Sequence, residues 1–322
     1  MNRRHRWNWA AIVEDTPNRV DYVAAAGANN QVVLTDTIQR QTVRGATGIA
    51  AFPFNSAQRL EVSAGAHALQ FTREVKTSVY NGSSIDTLRL VSSTTQELPA
   101  SDTLYLADAS AALVSDTSLF GAISPITGRR YRFQIGHTGG SLTYNTVLAD
   151  FRQYFMPVRP VTVAFRVVHY GRYGADAESP SLVSLYAGYP ELVHGYPLGS
   201  INPADCQFVV GAFQCPLASN LVGSRMLVAN AEVHAPLIGL FRGDLQYGPV
   251  PMEVVAFADS GVTWTSDTKP TFAGGTREAL RSVGGAVRIN AFGLLLVEIS
   301  AARPLDRLDN AWRWQVGIRG GF

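Results

Sequence analysis

Lysine is nearly missing from this sequence. Of its 27 basic side chains only Lys76 and Lys269 are lysine, a bias that reads first as genomic base composition. Charge of either sign is scarce, at 16% of 322 residues, against roughly 25% in an ordinary soluble domain. Long apolar runs are absent too. The longest, Ala291–Val297 (AFGLLLV), falls far short of the roughly 20 residues a membrane helix needs, which excludes a helical membrane protein. No basic block lies beyond Asn2–Arg6 and the net charge is +2, so nucleic acid has no electrostatic footprint here. Residues 1–30 hold no secretory h-region. That leaves a cytosolic protein or a piece of a longer exported chain. Nucleophile-elbow, P-loop, dinucleotide and H-E-x-x-H motifs are all missing from a strand–helix context, so no catalysis, no cofactor and no small-molecule substrate is expected. Only two cysteines occur, Cys206 and Cys215, without accompanying metal-ligand spacing. Disorder is excluded as well, because 46% apolar and 10% aromatic residues can bury a core.

What the chain does have is alternation of period two. Trp314, Val316, Ile318 and Phe322 share one face of the last segment, and Arg313, Gln315 and Arg319 the other. Val161, Val163, Phe165 and Val167 alternate with Thr162 and Arg166. Leu227, Ala229, Ala231 and Val233 alternate with Asn230, Glu232 and His234. Leu60, Val62 and Ala64 alternate with Arg59, Glu61 and Ser63. A soluble sandwich also alternates, but its polar face is rich in Lys, Glu and Thr. Here the polar face is Arg, Asp, Glu, Asn and Gln, and the other is small and aliphatic with aromatics near strand ends. That pattern predicts an all-β fold, an antiparallel transmembrane β-barrel with lipid outside and a polar lumen.

About twelve or thirteen strands are expected, near 4–14, 19–27, 40–53, 58–72, 102–122, 129–138, 144–156, 160–170, 223–235, 251–264, 282–292, 294–303 and 311–322. Short turns are expected at Thr16-Pro17-Asn18, Pro53-Phe54-Asn55, Ile126-Thr127-Gly128, Pro157-Val158-Arg159 and between Ile238 and Pro249. Long polar stretches run over Tyr80–Ser101, Arg172–Val222 and Ser266–Arg281. Short turns on one rim and long loops on the other suit an outer-membrane barrel.

In the longest of these stretches stands Val193-His194-Gly195-Tyr196. It resembles the V-R-G-[FY] motif of the BamA/TamA outer-membrane assembly barrels, the bacterial surface antigen family. Two strands later, Phe257-Ala258-Asp259-Ser260-Gly261 is similar to that family's aromatic-x-Asp-x-Gly strand motif, and Phe322 matches its terminal aromatic. The likeness covers residues 100–322 well and the first hundred more weakly. It implies the last strands of a sixteen-strand barrel in a Gram-negative outer membrane. Residues 1–322 would then form one barrel domain lacking its first strands and upstream periplasmic domains. Residues 172–222 would be an extracellular loop folded into the lumen. The implied partners are outer-membrane lipid and client outer-membrane or secreted proteins, and the implied activity is their insertion or translocation by templating.

One residue departs from the family pattern. The loop arginine is replaced by His194, a single donor where a guanidinium would offer a fork. His194 is expected to meet Asp259, or else an arginine such as Arg166 or Arg288 holds that carboxylate. Arg166, Glu232, Glu253 and Arg288 belong to a lumen set of mixed sign, read as a neutralising ion-pair network across strands. Cys206 and Cys215, exported, would form a disulfide. A passive porin-like channel and a surface-exposed binding protein remain the alternative functions.

Overall fold

A computed structural model describes residues 7–28, 31–81, 89–99, 102–197, 199–201, 207–209, 212–214, 216–309 and 311–320. The principal strands are β1 (Asn8–Ala28), β2 (Gln31–Pro53), β3 (Gln58–Asn81), β4 (Arg89–Leu98), β5 (Leu104–Asp116), β6 (Pro125–Gly140), β7 (Tyr144–Val158), β8 (Val161–Tyr173), β9 (Arg225–Pro236), β10 (Met252–Trp264), β11 (Leu280–Ala291), β12 (Leu295–Pro304) and β13 (Arg313–Gly320). With the two-residue strand Leu119–Phe120 they make one 14-stranded antiparallel sheet. Its order follows the chain from β1 to β13, except that β4 pairs only with β3. None of the described helices is long and apolar enough to cross a membrane.

The sheet curls on itself. The β5–β6 linker reaches across to β10 and β11, with β7, β8 and β9 between: Ser124 Oγ donates to Glu253 at 2.5 Å, and Asn290 Nδ2 to the Ala122 carbonyl at 2.8 Å. Alternation then sorts the strands other than β4 into two faces. Phe133, Ile135, Phe151, Phe165, Val167, Val233, Val316 and Ile318 stand exposed on the outside. Glu253, Asp259, Arg288 and Glu298 are buried inside. Apolar groups outward and charges inward invert a soluble fold and make a transmembrane barrel. The core lies in the lumen, where Val193, Tyr196, Leu217 and Leu221 of the β8–β9 loop pack on Val168, Val228 and Leu280 of the wall.

Four local expectations are corrected. Ile126-Thr127-Gly128 is no turn but opens β6, the bend falling at residues 122–124. Thr16-Pro17-Asn18 is no turn: β1 runs straight through it, with Pro17 opposite Thr42, and residues 31–39 continue the β1–β2 hairpin. Among the described residues β1 has a neighbour on one side only, where a strand tolerates a residue without an N–H. Tyr80–Ser101 is not simply a loop, because Arg89–Leu98 forms β4. It lies end to end with β5 along β3, Arg73 facing Leu98 and Leu69 facing Leu104. Both faces of that extension are polar, so it lacks the apolar stripe that marks a lipid-facing strand, while its Ser, Thr and Val still favour extended backbone. Between Ile238 and Pro249 the chain forms a short helix, Leu237–Arg242, instead of a tight turn. The expected strand count survives because one false turn and one missed strand cancel. β1 and β13 stand at the two ends of the sheet order, each with a neighbour on one side.

Candidate functional site

On β10 the residues Glu253, Val255, Phe257, Asp259, Gly261 and Thr263 share one parity, and all face inward. The wall they form receives the segment Leu192–Tyr196 of the β8–β9 loop. Val193 is fully buried against Gly261. A Cβ added to Gly261 would lie 2.5 Å from Val193 Cγ2, so the close approach needs glycine on the wall. Gly195 has φ +88, in the left-handed region, and its backbone passes against Ala302 and Pro304 of β12. Glycine there lets the chain turn while His194 and Tyr196 point into opposite neighbourhoods.

His194 lies flat on Phe257, ring centroids 4.1 Å apart at 26°. Its Nδ1 is 2.7 Å from Asp259 Oδ2, which also accepts the His194 backbone N–H at 3.1 Å. Its Nε2 is 3.3 Å from Glu298 Oε1 on β12. A neutral imidazole has one N–H and cannot serve two carboxylates as donor, whereas the imidazolium can. His194 stands on a loop, not on a strand. Burial pushes its pKa down, but the Asp259 and Glu298 carboxylates outweigh burial and raise it to about 9.

The surrounding bonds spread the contact over every strand from β9 to β13. Asn230 Nδ2 on β9 donates to Asp259 Oδ1 at 2.8 Å and to the Leu192 carbonyl at 2.6 Å. Ser282 Oγ on β11 donates to Asp259 at 3.2 Å. The Gly195 N–H donates to Gln315 Oε1 on β13 at 2.9 Å. The Tyr196 hydroxyl donates to the Arg281 carbonyl at 2.9 Å, and the Tyr186 hydroxyl to the Tyr196 carbonyl at 2.6 Å.

The other lumen residues fall into separate groups. Arg288 joins Glu298 at 2.5 Å and grips Glu232 through both terminal nitrogens at 2.9 and 3.0 Å. It therefore touches the site through Glu298 and makes no bond to Asp259. Arg166 pairs with Asp150, which Arg152 shares, and donates to the Glu191 carbonyl at 2.8 Å. Glu253 is bound by Ser124, with His234 at 3.7 Å. A cavity of about 390 Å³ separates these groups, with Arg166, His194, Glu232, His234 and Arg288 on its walls. Trp314, Val316 and Ile318 lie on the exposed outer face of β13. Cys206, Cys215 and Phe322 lie outside the described residues. No cluster of three or more metal-ligating side chains occurs among the described residues.

Sequence reading did not single out Asn230, Ser282 or Gln315 as partners of the loop, although strand parity already put Gln315 on the polar face of β13. Nor did it find a second histidine between carboxylates. His67 on β3 sits over Gly45 and Gly65, its Nε2 2.6 Å from Asp108 on β5 and its Nδ1 2.8 Å from Glu14 on β1, the latter an ion-pair contact without hydrogen-bond alignment. A second cavity, about 360 Å³, opens beside it.

No protein-family model and no curated protein matches the chain. Among solved structures, BamA from Haemophilus ducreyi lacking POTRA domains 1–3 aligns with 99% of this chain and 70% of its own, at TM-score 0.51 and 14% identity. CdiB from Acinetobacter baumannii aligns with 98% of this chain and 66% of its own, at TM-score 0.43 and 11% identity. The first of these likenesses shows that the chain has the β-barrel fold of BamA.

Proposed function

We propose that this chain works in a Gram-negative outer membrane as a barrel that helps insert or translocate client proteins, by templating rather than by chemistry. One observation carries the reading: Leu192–Tyr196 is docked inside the barrel and bonded to each of the strands β9 to β13, reaching the last of them through Gln315. In a barrel that only passes solutes, a loop in the lumen serves to narrow the passage, and it need not be bonded to every strand beside the seam. A barrel whose seam must open gains from such bonds, because the loop holds the strands beside the seam in place. At the edges, β1 and β13 present backbone N–H and C=O groups to which an incoming strand can add. Val193–Tyr196 would be the brace and Phe257, Asp259 and Gly261 its seat, with Glu232, Arg288 and Glu298 neutralising the wall behind it. The likeness to BamA in fold supports this kind of function and leaves the client open.

A photo-crosslinking residue placed at Ile318 on β13 tests it in cells making outer-membrane proteins. The expected result is capture of newly made strands, with little steady conductance of the purified barrel in planar bilayers. A large, steady open pore together with adducts to lipid alone would favour the passive channel instead.

A further inference from the structure

The longest apolar run of the sequence, Ala291–Val297, does not fill a strand. It crosses the turn between β11 and β12. Hairpin turns with left-handed φ at both central positions are normally Asn-Gly or Asp-Gly, because a short polar side chain tolerates that backbone. Here the positions are Phe292, φ 57, and Gly293, φ 71, and Phe292 is the one non-glycine residue with positive φ among the described residues. The turn is well bonded: the Leu294 N–H donates to the Ala291 carbonyl at 3.1 Å, and the Gly293 N–H to Asn290 Oδ1 at 2.9 Å. The chain thus accepts a sterically costly backbone and places a phenyl ring at the tip, 97% exposed, with Leu294 72% exposed beside it. The β2–β3 turn on the same rim also shows an aromatic, Phe54 at 54% exposure, but packs it on Phe52 and caps its backbone with a polar side chain. There Asn55 Oδ1 accepts the Ala57 and Gln58 N–H groups at 2.9 and 2.8 Å, a turn suited to water.

The apolar tip is continuous with the outer wall. Leu295, Val297 and Ile299 follow one another up the outward face of β12, with Ile318 opposite Val297 and Val316 opposite Ile299. No polar residue interrupts that face between Ile299 and Phe292. We propose that the β11–β12 tip is a lipid-contact site, in which Phe292, Leu294 and Leu295 stay within the apolar part of the leaflet bordering the short-turn rim while the β2–β3 turn reaches water. The lipid supplies acyl chains to cover the phenyl ring, and a large ring anchors the tip as a short Asn would not. The inference rests on the membrane-barrel reading.

Nitroxide labels separate the two. Phe292→Cys, Val316→Cys and Ser56→Cys are each labelled in a Cys206→Ser, Cys215→Ser background and inserted into dioleoylphosphatidylcholine vesicles. Power saturation then compares collisions with oxygen and with a water-soluble nickel chelate. The oxygen-to-nickel ratio at 292 should match that at 316 and exceed that at 56 several-fold. A ratio at 292 equal to that at 56, with 316 in lipid, overturns the lipid-contact site alone. An aqueous ratio at 316 overturns the membrane reading itself. Leu294→Cys gives the same readout from the other side of the turn if the 292 derivative does not insert.

Discussion

Two regions of this barrel hold a histidine between two carboxylates drawn from different strands. In one, His194 meets Asp259 and Glu298, with side chains 6%, 1% and 4% exposed. In the other, His67 meets Glu14 and Asp108, at 16%, 37% and 28%. The distances are alike and the surroundings are not. Around His194 both carboxylates are buried, Phe257 covers one face of the ring, and each carboxylate has further donors. Around His67 the Glu14 and Asp108 side chains are themselves partly exposed, so solvent screens their charges and can replace a lost partner. A pair's geometry therefore says little about its worth until burial is known.

The largest expected effect follows from breaking the buried member. His194→Ala leaves the buried Asp259 without a cation, while Glu298 keeps Arg288, and should cost about 3–5 kcal/mol of stability, the usual penalty for an uncompensated buried charge. Urea unfolding in detergent, read by circular dichroism, measures the loss, and limited proteolysis should find the β8–β9 loop released. An unchanged midpoint would show that Val193 and Tyr196 hold the loop without the charges.

Next comes pH. The folded pKa of His194 is raised to about 9 from an ordinary value of 6.5. Its contribution is therefore complete below pH 6.5 and is lost as pH rises through about 9. Unfolding midpoints taken from pH 6 to pH 10 should fall across that range, and His194→Gln should flatten the fall. A stability that rises from pH 7 to pH 10 would show that the histidine is neutral in the folded protein.

The smallest effect is expected at the open site. His67→Ala should cost about 0–1 kcal/mol, as solvent-reachable ion pairs do. Salt sharpens the contrast, since raising it to about 1 M shortens the screening length to roughly 3 Å and should erase the His67 effect while leaving most of that at His194. Equal costs for the two substitutions would mean that the His67 site is as well shielded from water as the His194 site.

Much of the wall could be read residue by residue, because side-chain direction in a strand depends only on parity. Asp259 and Gly261 fall on one face with Glu253 for that reason, and Val316 and Ile318 on the other face of β13 from Gln315. Parity failed where its premise did. β4 has water on both faces and so no apolar stripe, and Pro17 resembled a turn because its tolerance comes from β1 having no second neighbour. At the site, the loop histidine and the strand aspartate were readable as a pair, but the sharing of Glu298 between His194 and Arg288 was not.

The sequence by itself determined the two-faced antiparallel strands, the apolar outside, the charged inside and the glycines where chain meets chain closely. These are local consequences of alternation and of side-chain volume. Only the tertiary structure decided which charges pair. His194 and Asp259 are 65 residues apart, and their contact exists because the sheet curls and the loop folds into it. Curling also decided which histidine is buried. The Asp259 and Glu298 side chains beside His194 are buried, whereas Glu14 and Asp108 beside His67 are partly open to solvent.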